Sequence, residues 1–275
     1  MRQPNKPRWG LARVAVALLC TAATAEKSAS FTEYAVPPQI VPETTVVVVE
    51  GHTDPEGYEL YIDALVDKGH PVVTASFGPS SAFHLVDRLD SLWTYLTSTQ
   101  SPTTHSAGVN LDTYVIVGYS SGAWVGYNAC MRDQARCVRF VSLDGVFCPP
   151  IVPRIFAPST FPNRTVGSFR STVPSCFIGG GDSKLCVPPC CTTVQSFNRH
   201  SAQSADNHTQ LILMPSMRHA DFQLLSRRTR FQRGLVCAHF GRPRSSTALE
   251  VDQARVVSHV LSCVTRNPND RIPLR

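Results

Sequence analysis

The amino-acid sequence predicts an α/β protein with a mainly parallel central sheet, helices on both faces of the sheet and no large cap domain. The chain has 275 residues, of which 43% are hydrophobic and 17% are charged. This composition is that of a globular protein that buries a sizeable core, not of a disordered or fibrous chain. Along the chain, short strand-like runs alternate with stretches in which apolar residues recur at helical spacing. Such alternation favours parallel strands joined by helical crossovers.

Six strands are predicted from short runs of β-branched and other apolar residues. The first run, Thr44–Glu50, shows no alternation of polar and apolar residues, which is typical of a strand buried on both faces of a sheet. In chain order the predicted strands are Thr44–Glu50, Pro71–Phe77, Tyr114–Val117, Val138–Leu143, Ser175–Ile178 and Leu211–Met214.

Helices are predicted between these strands and after the last one, where apolar residues recur every three or four positions. The helical stretches are Tyr58–Leu65, Phe83–Leu96, Ser121–Met131 and Val251–Leu261. The longest irregular stretch, Val146–Val173, is rich in proline and lies between two predicted strands. We therefore expect it to form a loop or a small cap over the edge of the sheet.

The first 25 residues are predicted to be a secretory signal peptide. Four basic residues and no acidic residue precede an apolar run of 12 residues, 14–25. The run ends in Ala23-Thr24-Ala25, a small-x-small cleavage pattern. This run is shorter than the roughly 20 residues that span a bilayer. Residues 26–275 are then expected to form one exported domain. The alternatives are that residues 1–25 remain as an uncleaved anchor, or that a bipartite signal that includes 28–31 directs import into a plastid. Two N-glycosylation sequons agree with export, at Asn163 and Asn207.

Nine of the ten cysteines lie outside the signal peptide, which is too many for an ordinary cytosolic enzyme. In an oxidising compartment most of them are expected to pair. Cys130 and Cys137 flank a predicted turn between a helix and a strand, whereas Cys176 lies in a predicted core strand and is expected to stay unpaired. The cluster Cys186–Cys191 lacks a second Cys/His pair at matching spacing, so no metal site is predicted.

A nucleophile elbow is predicted at Gly118-Tyr119-Ser120-Ser121-Gly122, which follows a predicted strand and begins a predicted helix. In this context G-x-S-x-G lifts a serine hydroxyl above the carboxyl edge of the sheet, and the tight turn requires small flanking residues. Ser120 is therefore the candidate nucleophile. The backbone N–H of Ser121 lies at a helix N-terminus, where it is a candidate donor to an oxyanion.

A serine nucleophile needs a base and an acid that orients the base. His219 follows the last predicted strand and is the candidate base. Asp182 follows the strand before it and gives the expected chain order of serine, acid and histidine, so we expect Asp182 to be the acid, with Asp144 as the alternative. The second oxyanion donor is expected in the loop after the first predicted strand, at the backbone N–H of His52.

These motifs resemble the α/β-hydrolase superfamily and, within it, chlorophyllases and the related secreted esterases similar to dienelactone hydrolase. The resembling segments are Glu50-Gly51, Lys68–Val73, Gly118–Gly122, Leu143–Gly145, Ile178–Asp182 with Cys186–Cys190, and His219–Phe222. Glu50 stands where the family has histidine. The resemblance to chlorophyllases implies Asp144 as the acid, and that to dienelactone-hydrolase-like esterases implies Asp182.

The sequence therefore predicts a secreted serine hydrolase that cleaves carboxylic esters through an acyl-enzyme on Ser120. A non-catalytic binding protein on the same scaffold, or an acyltransferase or peptidase with the same triad, is the alternative. No cofactor is implied. The expected partner is a small-molecule or lipid-like ester, and the protein is expected to be a monomer that binds no nucleic acid, since no nucleic-acid-binding motif is present.

The net charge of +6 is unevenly distributed along the chain. Without residues 1–25, 22 basic and 20 acidic residues remain, and 11 of those basic residues follow Met217. The basic C-terminal region is expected to be a solvated face, with weak association with anionic surfaces as the alternative.

Overall fold

One seven-stranded sheet forms the centre of the part of the protein that the structure, a computed structural model, describes. The described residues are 29–37, 43–51, 55–77, 85–98, 108–146, 173–182, 193–194, 197–198, 209–222 and 246–266. The strands are β1 Ser30–Tyr34, β2 Thr45–Val49, β3 Val72–Ser76, β4 Tyr114–Tyr119, β5 Cys137–Leu143, β6 Ser175–Gly180 and β7 Thr209–Met214.

The sheet has the order β1-β3-β2-β4-β5-β6-β7, and every neighbouring pair is parallel except β1 with β3. All six predicted strands are present. β1 is an additional edge strand: its residues are exposed or half-buried, so it lacks the apolar run by which the other strands were recognised. The carboxyl ends of the parallel strands meet at one edge of the sheet, and β2 lies directly beside β4, with Val49 opposite Gly118.

Four helices cover the sheet within the described ranges: α1 Glu59–Asp67, α2 Leu85–Ser98, α3 Ser121–Arg132 and α4 Ser246–Thr265. Leu92 of α2 and Val125 of α3 belong to one buried apolar cluster. Leu65 of α1 and Val256 of α4 belong to the other, with alternate residues of the same strands facing each cluster. The predicted α/β class, with helices on both faces of a mainly parallel sheet, is confirmed. No helix in the described ranges has the length and apolar character needed to cross a membrane.

Within the described ranges, two disulfides tie helices to the sheet. Cys130 at the end of α3 is joined to Cys137 at the start of β5, across the predicted turn. Cys176 of β6 is joined to Cys263 of α4, so the prediction that Cys176 is unpaired was wrong. Both residues of this second pair lie in the same buried cluster, where α4 packs on the sheet. Their separation of 87 residues left no local signal in the sequence.

Candidate active site

Ser120 occupies the sharp turn between β4 and α3. Its backbone has φ 54° and ψ −125°, a conformation that is strained for any residue other than glycine. The flanking glycines are required by close packing: a Cβ at Gly118 would lie 2.5 Å from Cα of Ala123, and one at Gly122 would collide with the carbonyl of Glu50. The close packing of β2, β4 and α3 therefore explains why the predicted elbow requires glycine at both of these positions.

His219 begins a short 3₁₀ helix, His219–Phe222, that follows β7. Its Nε2 lies 2.9 Å from Oγ of Ser120, within hydrogen-bonding distance. The imidazole side chain is 17% exposed, so it is not sealed from solvent. The predicted nucleophile and the predicted base are thus brought together from residues 99 positions apart.

The carboxylate that contacts His219 is that of Asp144, which directly follows β5. Oδ2 of Asp144 lies 2.7 Å from Nδ1 of His219. The other carboxylate oxygen accepts the backbone N–H of Gly180 at 3.0 Å and the hydroxyl of Thr193 at 3.1 Å. Asp144 is 2% exposed and has φ 42°. Its carboxylate is therefore held in one orientation, from which it can fix the tautomer in which Nδ1 of His219 carries the proton.

Asp182 was preferred from the sequence as the acid beside His219, but the carboxylate that lies there is that of Asp144. Asp182 lies after β6, and its backbone N–H donates to the carbonyl of Met217 at 3.1 Å. This bond supports the segment that leads from β7 to His219. The structure thus brings Ser120 and His219 together with the alternative acid, Asp144, while Asp182 contacts the chain two residues before the histidine.

Among the described residues, three side chains from other elements donate to carbonyls of the turn that carries His219, and none of the three was predicted from the sequence. The hydroxyl of Tyr119 donates to the carbonyl of His219 at 2.8 Å, and that of Tyr61 donates to the carbonyl of Phe222 at 2.7 Å. The side-chain amide of Gln253 donates to the carbonyl of Asp221 at 2.9 Å. Burial raises the pKa of Tyr61 well above its ordinary value, so its hydroxyl remains a donor. No sequence pattern marks these donors, because the carbonyls that accept their hydrogen bonds are brought near them only by folding.

Tyr119 also packs on the imidazole of His219. The two rings are stacked, with centroids 5.0 Å apart and an angle of 19° between their planes. Tyr58 contacts Tyr119 edge-on, with ring centroids 5.6 Å apart. The residue before the nucleophile therefore holds the histidine both by its ring and by its hydroxyl.

Replacing Tyr119 with phenylalanine is expected to lower kcat/KM for an ester by about 2–10-fold, the effect of losing one hydrogen bond of roughly 0.5–1.5 kcal/mol. Steady-state kinetics on a chromogenic ester would measure this loss. Tyr61→Phe is the matched control, because it removes a similar bond at the other end of the same turn. A larger effect of Tyr61→Phe than of Tyr119→Phe on kcat/KM would contradict a special contribution of Tyr119.

Some predicted residues lie outside the described ranges. These are the signal peptide 1–25, the oxyanion donor His52, the cluster Cys186–Cys191 and the sequon residues Asn163 and Asn207. Ser121 is the first residue of α3 and follows the nucleophile directly, as predicted for an oxyanion donor. Within the described ranges, no three side chains of His, Cys, Asp or Glu are grouped as a metal site requires.

Comparison with known proteins adds evidence on the fold. No family model and no curated protein matches the chain. Among solved structures, a sugar hydrolase from Lactococcus lactis has a TM-score of 0.61 at 13% identity, and the match covers 87% of this chain and 94% of the other. A ferulic acid esterase from Streptomyces cinnamoneus has a TM-score of 0.60 at 16% identity, covering 85% and 70%.

A third solved structure, dienelactone hydrolase from Anabaena variabilis, has a TM-score of 0.53 at 12% identity and covers 91% of this chain and 97% of its own. At such identities the likeness concerns the fold and not the substrate. The resemblance to chlorophyllases stays a prediction. Taken with the strand order and the elbow between β4 and α3, these matches show that the chain has the α/β-hydrolase fold.

Proposed function

We propose that the protein is a serine hydrolase that cleaves carboxylic esters through an acyl-enzyme on Ser120. The observation that carries this proposal is the hydrogen-bonded series of Ser120, His219 and Asp144, with the serine in the strained turn after β4. A serine hydroxyl is a weak nucleophile unless a base takes its proton, and a base serves best when a third group fixes its orientation. All three roles are occupied by adjacent side chains.

In the proposed reaction, Oγ of Ser120 attacks the ester carbonyl while its proton passes to Nε2 of His219. Asp144 stabilises the imidazolium that results and keeps Nδ1 as a hydrogen-bond donor. The tetrahedral intermediate then collapses: the bond to the alcohol oxygen breaks, and His219 returns the proton to that oxygen. Water, deprotonated by the same histidine, then attacks the acyl carbon; the bond to Oγ of Ser120 breaks, and His219 returns the proton to Oγ, which releases the carboxylic acid and the free serine.

The negative oxygen of the intermediate requires hydrogen-bond donors that are in place before the reaction. The proposed donors are the backbone N–H of Ser121 and the backbone N–H of His52. Support for the first comes from its position at the N-terminus of α3, where the helix dipole favours negative charge. Support for the second comes from Gly51, which lies so close to the elbow that a Cβ on it would be 3.0 Å from Cβ of Ser120.

Esters are proposed as the substrate class because proteins of similar fold include a ferulic acid esterase and a dienelactone hydrolase. A small-molecule or lipid-like ester is the expected substrate. Action outside the cytosol is proposed on the two disulfides, since such bonds persist in oxidising compartments.

A fluorophosphonate probe tests the proposed nucleophile directly. Such a probe phosphonylates a serine that an adjacent base activates, so Ser120 should be labelled stoichiometrically and its peptide identified by mass spectrometry.

Turnover of p-nitrophenyl esters of graded acyl length, and of chlorophyll, would then define the substrate. A folded protein that the probe leaves unlabelled would instead be a binding protein. Transfer of the acyl group to an added alcohol in preference to water would identify an acyltransferase, and cleavage of a peptide panel would identify a peptidase.

A further inference from the structure

Arg88 of α2 is a buried arginine that contacts both segments beside the nucleophile. It is 1% exposed, and its Nη1 donates to the carbonyl of Gly51 at 3.2 Å and lies 3.3 Å from Oγ of Ser121, to which it also donates. Gly51 follows β2, whereas Ser121 begins α3. One guanidinium nitrogen therefore joins two parts of the chain that are 70 positions apart and that both adjoin Ser120.

A guanidinium is seldom buried unless its charge is compensated. Burial lowers the pKa of Arg88 to about 10, and nearby Tyr58 and Glu50 partly oppose this shift. The side chain therefore remains a cation at neutral pH. The centroid of the Phe77 ring lies 5.2 Å from Cζ of Arg88. Glu50, which is also near the guanidinium, is 1% exposed. The site thus keeps a charged donor in surroundings of low dielectric constant, where its hydrogen bonds are strong.

The carbonyl that Arg88 holds belongs to Gly51, which packs directly against the elbow. A Cβ at Gly51 would meet Cβ of Ser120 at 3.0 Å and the carbonyl of Tyr119 at 3.2 Å, so a shift of Gly51 would disturb the turn that carries Ser120. The second bond of Arg88 reaches the side chain of Ser121, whose backbone N–H is a proposed oxyanion donor. The two bonds therefore hold the end of β2 against the start of α3.

We propose that Arg88 is a positioning residue for the oxyanion site: by donating to the carbonyl of Gly51 and the hydroxyl of Ser121, it holds the end of β2 against the N-terminus of α3, where the backbone N–H of Ser121 is proposed to bind the substrate oxygen. This inference rests on the proposed serine hydrolase function and identifies how its oxyanion site is assembled. Arg88 itself does not touch the reacting atoms in this proposal. Its effect is exerted in the transition state, where the charge on that oxygen develops.

Replacing Arg88 with lysine or methionine is expected to lower kcat for ester hydrolysis by about 10–100-fold, less than the roughly 10²–10³-fold loss on removing an oxyanion donor outright. KM is expected to change little, because the interaction is made in the transition state and not with the bound ester. Arg88→Lys keeps the charge and the apolar stem, so it reports on the protein if Arg88→Met fails to fold. Rates would be expressed per site titrated with the fluorophosphonate.

Arg139→Met is the matched control. Arg139 is 6% exposed, and its Nη1 donates to the carbonyl of Cys263 at 2.6 Å. It lies near the start of β5, toward the sheet edge opposite Asp144. Arg139→Met also removes a buried guanidinium that donates to a backbone carbonyl. The variant should therefore have a lower melting temperature, while its kcat per titrated site stays unchanged. A kcat loss in Arg139→Met equal to that in Arg88→Met would show a general effect of losing a buried cation and would overturn the proposal.

The affinity of a trifluoromethyl ketone distinguishes positioning from a merely structural role. Oγ of Ser120 adds to the ketone carbon, its proton passes to His219, and the ketone oxygen becomes the anion that the oxyanion site binds. We expect the inhibition constant in Arg88→Lys to rise by the same factor as kcat/KM falls. An unchanged inhibition constant, or unchanged kcat, in the folded variant would overturn the proposal. A different result would contradict the proposed function: ester hydrolysis that continues at a near-wild-type rate in Ser120→Ala.

Discussion

Ser120→Ala is expected to lower kcat for ester hydrolysis by about 10⁴–10⁶-fold and to abolish labelling by a fluorophosphonate. The reason is that alanine lacks the hydroxyl oxygen that is proposed to form the acyl-enzyme and that lies 2.9 Å from Nε2 of His219. Active-site titration followed by steady-state kinetics on a p-nitrophenyl ester would measure both effects. The residual rate should be that of a bound ester attacked by water.

The matched control for this variant is Ser175→Ala. Ser175 is also buried, but it lies at the start of β6, and its hydroxyl donates to the carbonyl of Val173. Its loss should affect stability and not turnover. Near-wild-type ester turnover by Ser120→Ala would contradict the acyl-enzyme mechanism.

Asp144→Asn is expected to lower kcat by about 10⁴-fold, the effect of removing the charge that orients a triad histidine. An amide in place of the carboxylate no longer favours the tautomer with a proton on Nδ1, nor does it stabilise the imidazolium. Asparagine is preferred to alanine for this test because Asp144 has φ 42°, a left-handed conformation that asparagine tolerates. The change therefore removes the charge at little cost to the backbone.

Asp182→Asn provides the comparison, since Asp182 follows the neighbouring strand, and this substitution keeps its backbone bond to Met217. Its kcat should stay within about threefold of the wild-type value, as for a surface change that leaves the reacting groups in place. A larger loss of kcat in Asp182→Asn than in Asp144→Asn would restore Asp182 as the triad acid and refute the assignment of Asp144.

The five inner strands, β2 to β6, could be predicted because nearly all of their residues are buried. A run such as Thr45–Val49 has every residue buried, so its sequence shows the same apolar character wherever its neighbours lie. The edge strand β1 was not predicted, because none of its residues is buried and its polar residues Thr32 and Glu33 interrupt the apolar ones, whereas the other edge strand, β7, contains the apolar run Leu211–Met214. Its existence depends on the partner β3, which the local sequence does not reveal.

The elbow could be predicted for a related reason. The collisions that exclude a Cβ from Gly118 and Gly122 arise within the strand–turn–helix unit and the adjoining end of β2, so the requirement for small residues appears as a fixed local spacing. His219 could likewise be found as a candidate base, since such a base is expected to follow a strand that ends at the same sheet edge. Tyr119 and Arg88 were not identified, because each acts on a group brought near it only by folding.

The sequence by itself determined the α/β class and the candidates for nucleophile and base, because each depends on local periodicity or on a turn whose chemistry is confined to a few residues. The tertiary structure alone decided which acid reaches the histidine, that Cys176 pairs with Cys263, and that a buried arginine joins the segments beside the nucleophile. Asp144 and Asp182 both follow strands that end at one edge of the sheet, so their order in the chain could not distinguish them. The choice between them depends on lateral distances across neighbouring strands and on the bonds from Gly180 and Thr193 that orient Asp144.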